Sequence, residues 1–203
     1  MNFQLDPQKI EATIAFHGHS CPGLAIGMRA AEIALQELAG ADPVDLVCVT
    51  ETDMCGVDAI QFLTGCTYGK GNLIHRDYGK MAFRFYDRRN QRAIRLLFNP
   101  AAWGDSREAV TALTAKSRQP EFTKTDQQRL ETLRAEVQHR LLTLPLGEVF
   151  AVTPCAEPPP RSARVLDSLV CSSCGESTME SRTRRFAGQT LCIPCFARVE
   201  QKV

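Results

Sequence analysis

The chain has 203 residues, 44% of them hydrophobic and 23% charged, with a formal net charge of +1. That composition belongs to a globular protein and excludes a disordered tail, a collagen-like repeat and a disulfide miniprotein. A chain of this size folds without metal or disulfide staples, and its near-neutral charge gives no overall pull toward nucleic acid or an anionic membrane. The sign is uneven: from residue 161 onward seven Lys or Arg face four acids, so the tail is net +3 and the first 160 residues are net −2.

Pro7 to Phe16 reads as a short helix, with Asp6 as its N-cap and Ile10 and Ile14 one turn apart. The segment FHGHSCPG (Phe16 to Gly23) follows. Pro22 then opens a second helical pattern through Leu24, Met28, Ile33, Leu35 and Leu38, with Gly40 as its stop. Val44 to Thr50 is expected to be a buried strand and Cys55 to Leu63 a helix ending near Gly65. Tyr68 to Leu73 reads as a glycine-rich turn. Met81 to Tyr86 and Ala93 to Phe98, joined through RRNQ, form an expected hairpin. A helix over Ser106 to Lys116 is expected to be capped by Ser106. The longest helix spans Thr125 to Leu144, and a short strand covers Val149 to Val152. Helices and strands mix without strict alternation, so the fold class is α+β. The expected organisation is a core over 1–155, a proline-rich linker over 156–166 and a small cysteine-rich domain over 167–203.

The start of the chain lacks a basic end followed by an apolar run, and no apolar stretch approaches membrane-spanning length. Nine cysteines in such a chain read as thiolate and metal chemistry in a reducing cytoplasm.

Cys171-x2-Cys174 and Cys192-x2-Cys195 have four-cysteine zinc spacing. A two-residue gap lets one tight turn aim both sulfurs at one ion, and a hairpin brings back the second pair. Four thiolates close the coordination sphere, so this zinc is structural, and so small a module needs its ion to fold. Arg182, Arg184 and Arg185 fall on the connecting hairpin. A solvated basic edge is preferred over a phosphate contact, because the chain lacks the high pI of a nucleic-acid binder.

His17, His19 and Cys21 lie within five residues, with Cys21 near a helix N-cap. An extended backbone points His19 and Cys21 to one side. Cys55 repeats the logic after a strand and before a helix, flanked by Asp53 and Asp58. Two thiolates and one imidazole form a three-ligand site, in the open style of catalytic zinc and with softness that also suits other transition metals. A redox pair of Cys21 with Cys55 stays open as an alternative, as do buried cysteines that act as small hydrophobes, Cys48 and Cys66 among them. Lys70, in GCTYGKGN, lies on a bent turn that is not a P-loop. Either anion binding or simple turn geometry accounts for it.

Three ordered segments, FHGHSCPGLAIGMRA (Phe16 to Ala30), ETDMCGVDAIQFLTGCTYGKGNL (Glu51 to Leu73) and DYGKMAFRF (Asp77 to Phe85), resemble the FmdE family of formylmethanofuran dehydrogenase proteins. The resemblance covers about the first 150 residues. The tail resembles the treble-clef zinc finger that some members append. The resemblance implies an α+β core that pairs into a homodimer around a metal cleft. In that cleft His19, Cys21 and Cys55 would be ligands to a second zinc or another transition metal. His17, Asp58 and Lys70 would be cleft neighbours and the candidates for catalytic roles. Nothing resembles a molybdopterin-binding chain or a ferredoxin run, so this polypeptide is not the dehydrogenase catalyst by itself.

Three roles remain open on the sequence. The first is a metal-dependent protein whose cleft acts on or hands over a small ligand, with metal-bound water as nucleophile, His17 or Asp58 as base and Lys70 holding an anion. The second is an accessory subunit or metal carrier of a molybdenum or tungsten redox complex, docked by the finger. The third, ranked last, is a zinc-finger regulator binding nucleic acid.

Overall fold

The computed structural model describes residues 5–199. The chain divides into two compact units at Ser162/Ala163. In the first unit, α1 (Pro7–His17), α2 (Pro22–Glu37), β1 (Leu46–Thr50), α3 (Gly56–Thr64) and β2 (Leu73–His75) lead into a hairpin of β3 (Ala82–Asp87) and β4 (Arg92–Phe98). A single 3-10 turn (Pro100–Trp103) precedes α4 (Ser106–Lys116), α5 (Lys124–Thr143), the one-turn α6 (Leu146–Val149) and β5 (Phe150–Pro154). No described helix is long and apolar enough to cross a membrane.

The five strands make one sheet in the order β2-β1-β3-β4-β5. Only β1 and β2 run parallel, with α3 as the crossover between them. The other pairings are antiparallel, so the core unit is α+β. One sheet face carries Leu46, Cys48, Phe83, Phe85, Leu96 and Phe150, which are buried beneath α2 and α5 with Ala30, Ile33, Leu130, Val137 and Leu141. Strand alternation at period two and helix stripes at 3.6 supply that core.

Several element ends differ from the expected ones. β2 begins where the glycine-rich turn was expected to end, since three residues are too few for a period to show. The first helical residue of α4 is Ser106 itself, and Asp105 occupies the N-cap without a side-chain cap. α5 starts one residue early because Thr123 and Asp126 form a reciprocal capping box. Asp126 also pairs with Lys116 at 2.7 Å, which with the Thr123 bonds holds its carboxyl down at about 2.

On the opposite sheet face Val47, Val49 and Tyr86 pack with Ile74, Ala93 and Cys155. Beside them lies Glu51, buried, whose two oxygens each accept from Arg95 at 3.0 Å, with Arg84 Nε 3.1 Å away. The segment after β5 is pinned to this face. Glu157 pairs with Arg84 and with Arg76, and Arg88 donates to the Pro160 carbonyl at 2.7 Å.

Burial pushes the Glu51 carboxyl up, but the Arg95 hydrogen bonds and the charges of Arg95, Arg84 and Lys80 outweigh it, so its pKa is held below the ordinary value. A depressed folded pKa stabilises the fold above the unfolded value and loses that contribution as pH falls through the folded one. The melting temperature is therefore expected to drop between about pH 5 and pH 3, and Glu51→Gln should flatten that acid limb. Identical acid limbs in both proteins would remove Glu51 from the account.

In the second unit β6 (Ser168–Val170) pairs antiparallel with β7 (Ser177–Met179), and β8 (Thr183–Phe186) pairs antiparallel with β9 (Gln189–Cys192), before the one-turn α7 (Ile193–Phe196). Ala187 and Gly188, at φ +47° and +79°, make the tight turn between β8 and β9. Leu191 and three of the cysteines form the small core, with Phe196 and Val199 against it. Glu200 and Lys202 of the uneven tail charge lie outside the described residues.

Candidate metal centres

The first centre is assembled by two helix starts and one helix end. α1 runs through His17 and stops at Gly18, whose φ of +89° turns the chain sharply. The chain then runs through His19 to Cys21, the N-cap of α2, where Cys21 Sγ accepts from Leu24 N at 3.4 Å. Cys55 is the N-cap of α3. These two starts meet because α2 and α3 cross backbone to backbone. A Cβ built on Gly27 would stand 2.0 Å from the Gly56 carbonyl oxygen. Ser20 ties the intervening loop to α5 by donating to Gln138 Oε1 at 2.7 Å.

The result is a cluster in which one donor atom from each of His17, His19, Cys21 and Cys55 lies within 4.8 Å of every other. His19 is exposed and the other three are half-buried. The two imidazoles lie with ring centroids 4.4 Å apart. Burial, then the neighbouring Cys21 thiol, pushes the Cys55 thiol up, so the bare pair resists double ionisation that a divalent cation would favour.

The structure adds His17 to the three residues the sequence singles out. Its Nδ1 lies 2.6 Å from Asp58 Oδ2. A neutral imidazole so placed donates from Nδ1, which leaves the lone pair on Nε2, and Nε2 is buried with no hydrogen-bond partner. An orphaned acceptor beside two thiols and a second imidazole fits a soft divalent metal such as zinc. Asp58 Oδ1 accepts in turn from Gln61 Nε2 at 3.4 Å.

Lys70 is not part of this group. Its ammonium lies beside Gly65, the C-cap of α3, whereas Cys55 caps the other end of the same helix. A nine-residue helix of about 13 Å separates them. Asp53 is exposed. The sequence signal for His17 is its i, i+2, i+4 spacing with His19 and Cys21, but nothing local shows that Asp58 reaches it.

The second centre is in the small unit. Donor atoms of Cys171, Cys174, Cys192 and Cys195 lie within 4.8 Å of one another, and the Cys174 and Cys192 sulfurs are 3.9 Å apart. That matches two ligands across a tetrahedral ion with bonds of about 2.3 Å. Cys192 N donates to Cys171 Sγ at 3.3 Å. Backbone N–H groups of Cys174 and then Cys192 hold the Cys171 thiol down at about 6. Thiolate stabilisation by backbone amides is the arrangement a zinc-binding cysteine needs.

Similarities to known proteins cover both units. A family model described as FmdE, molybdenum formylmethanofuran dehydrogenase operon, matches residues 16–151. A second, described as a prokaryotic dksA/traR C4-type zinc finger, matches residues 166–201. The chain is 29% identical over 188 residues to a protein of Archaeoglobus fulgidus named as a probable S-adenosyl-L-methionine-binding protein. That match covers 89% of this chain and 50% of the other, so the chain spans about half the length of the curated relative it matches. The fold resembles the crystal structure of an FmdE-like protein of tungsten formylmethanofuran dehydrogenase from Syntrophus aciditrophicus. The TM-score is 0.63 at 21% identity, covering 93% of this chain and 90% of that one. A family match running from Phe16 through Ala151 takes in the whole His/Cys cluster and the sheet as far as the start of β5, and on that ground the chain belongs to the FmdE family, followed by a C4-type zinc finger.

Proposed function

We propose that the core cluster is a metal centre in which His17 Nε2, His19, Cys21 and Cys55 hold one zinc or similar transition ion, alongside a structural zinc in the finger. The observation that carries this reading is the buried, unpartnered Nε2 of His17, with Nδ1 engaged by Asp58. A carboxylate behind a ligating histidine sets its tautomer and ring orientation. The bound ion would supply Lewis acidity at the one face that reaches solvent. His17 and Asp58 are then occupied in holding and orienting, and Lys70 stands at the far end of α3. No side chain of the cluster is left over as a general base. The geometry therefore supports a module that binds or hands over a small ligand at the exposed His19 side better than it supports a hydrolase.

In the same reading the chain works in the cytoplasm as a homodimer and as an accessory subunit of a molybdenum or tungsten redox complex, with a treble-clef finger for docking. The dehydrogenase named for the FmdE family and for the Syntrophus protein supports the complex, and the exposed Phe16 and Phe62, with ring centroids 5.4 Å apart, offer an apolar surface for pairing.

Elemental analysis tests the metal assignment. The full chain, purified without added metal or chelator, is expected to carry two equivalents. Cys21→Ser/Cys55→Ser should carry one, and Cys171→Ser/Cys174→Ser should also carry one. Two equivalents surviving in the first double variant would end the core assignment.

A further inference from the structure

A second concave site lies along α4 and shares no residue with either cysteine cluster. Arg107, Val110, Thr111, Thr114, Ala115 and Arg118 line a groove of about 500 Å³, walled by Met81 and Trp103. That volume is within the range of small-molecule sites. The six positions follow i, i+3, i+4, i+7, i+8 and i+11, so they form one continuous face that runs along α4 and just past its end. At 1.5 Å per residue the two arginines stand about 16 Å apart along the axis, one at each end of the groove.

The middle is apolar or weakly polar. Val110 is buried and Trp103 and Met81 are half-buried against the main core. Arg134 donates to Thr114 Oγ1 at 3.3 Å and brings a third positive charge to the rim. Neither Arg107 nor Arg118 has a hydrogen bond or ion pair from its side chain among the described residues. Asp105 and Glu108, the acids nearest Arg107 in sequence, line a separate hollow with Pro100 and Ala101. An apolar trough with unneutralised guanidinium groups at both ends is complementary to an elongated molecule with an apolar middle and acidic ends.

We propose that this groove binds an elongated amphipathic organic anion, a dicarboxylate with an acyl-type middle, whose acid groups meet Arg107 and Arg118 and whose chain lies across Trp103, Met81 and Val110. The arginine spacing sets length selectivity. A single-headed anion uses one end only, and an uncharged chain of the same length uses neither.

Trp103 is the only tryptophan, so the tryptophan emission of the protein comes entirely from the wall of this groove. The test titrates the full chain with decanedioate, decanoate and decanol while following that emission. Saturable binding is expected in the order decanedioate, decanoate, decanol, from tightest to weakest. Arg107→Gln and Arg118→Gln should each weaken decanedioate by about three- to tenfold, toward the value for decanoate, and leave decanol unchanged. Added salt should weaken the dianion most. Melting curves of both variants check that the fold is kept. The proposal is overturned if none of the three ligands changes the emission, if decanol binds as tightly as decanedioate, or if both folded variants keep wild-type affinity for the dianion.

Discussion

Gly27→Ala is expected to destabilise the core unit by at least about 3 kcal/mol and lower its melting temperature by of the order of 10 °C. The added Cβ would stand 2.0 Å from the Gly56 carbonyl oxygen and 2.3 Å from its Cα. Both obstructing atoms are backbone, so no rotamer change relieves the collision and α2 and α3 must separate. Gly56→Ala meets the reverse problem, with the Gly23 carbonyl at 2.8 Å and Gly27 Cα at 2.9 Å. Because Cys21 and Cys55 cap the first turns of these helices, the same separation opens the metal cluster, and the variant should lose core metal as well as stability. Gly147→Ala is the control, since a Cβ there meets nothing within 4 Å. Thermal melts followed by circular dichroism decide the matter. A Gly27→Ala protein melting with the wild type would mean that the two helices do not touch in this way.

The second large effect falls on affinity. Asp58→Asn is expected to weaken metal binding at the core cluster by about 10- to 100-fold, or about 1.4 to 2.7 kcal/mol, with little change in melting. The carboxylate accepts from His17 Nδ1 whichever way it turns, and its charge raises the basicity of the ring. An asparagine amide can present either its oxygen or its NH2 group. The NH2 group would favour the tautomer with the proton on Nε2, the atom needed for the metal. Chelator competition measured on the core site, with the finger filled, reads this directly. Undiminished affinity in Asp58→Asn would show that His17 is not a ligand through Nε2. Lys70→Ala, at the other end of α3, serves as the unaffected reference.

What is legible in the sequence follows the range of the signal. The finger depends on two CxxC turns and one hairpin, all local, and its four ligands are readable by spacing alone. Long amphipathic or alternating segments such as α2, α5 and the β3–β4 hairpin are readable for the same reason, and their ends shift by only a few residues. β2 is not readable, because its place beside β1 is set by the α3 crossover and not by its own three residues. On sequence alone His17 ranks as a neighbour of the cluster, since its role depends on Asp58, 41 positions away on another helix. Lys70 is close in sequence to Cys55 and Asp58, which draws it toward the site. The helix between them carries it away, and sequence distance says nothing of which end of a helix a residue will occupy.

The border of the sheet bears on how copies of this protein meet. β5 is its last strand, with no further strand beyond it among the described residues. Cys155 N donates to the Ala93 carbonyl, so by antiparallel alternation the N–H groups of residues 150, 152 and 154 point away from β4. Phe150 N is already bonded to the Leu146 carbonyl inside α6, and residue 154 is a proline with no N–H. The open edge therefore presents a single amide hydrogen, that of Val152. Strand-to-strand zipping needs a row of donors, and this border has been stripped of them by one turn of helix and one proline. Whatever holds two copies together, a continuous intermolecular sheet through β5 is the least suited to do so.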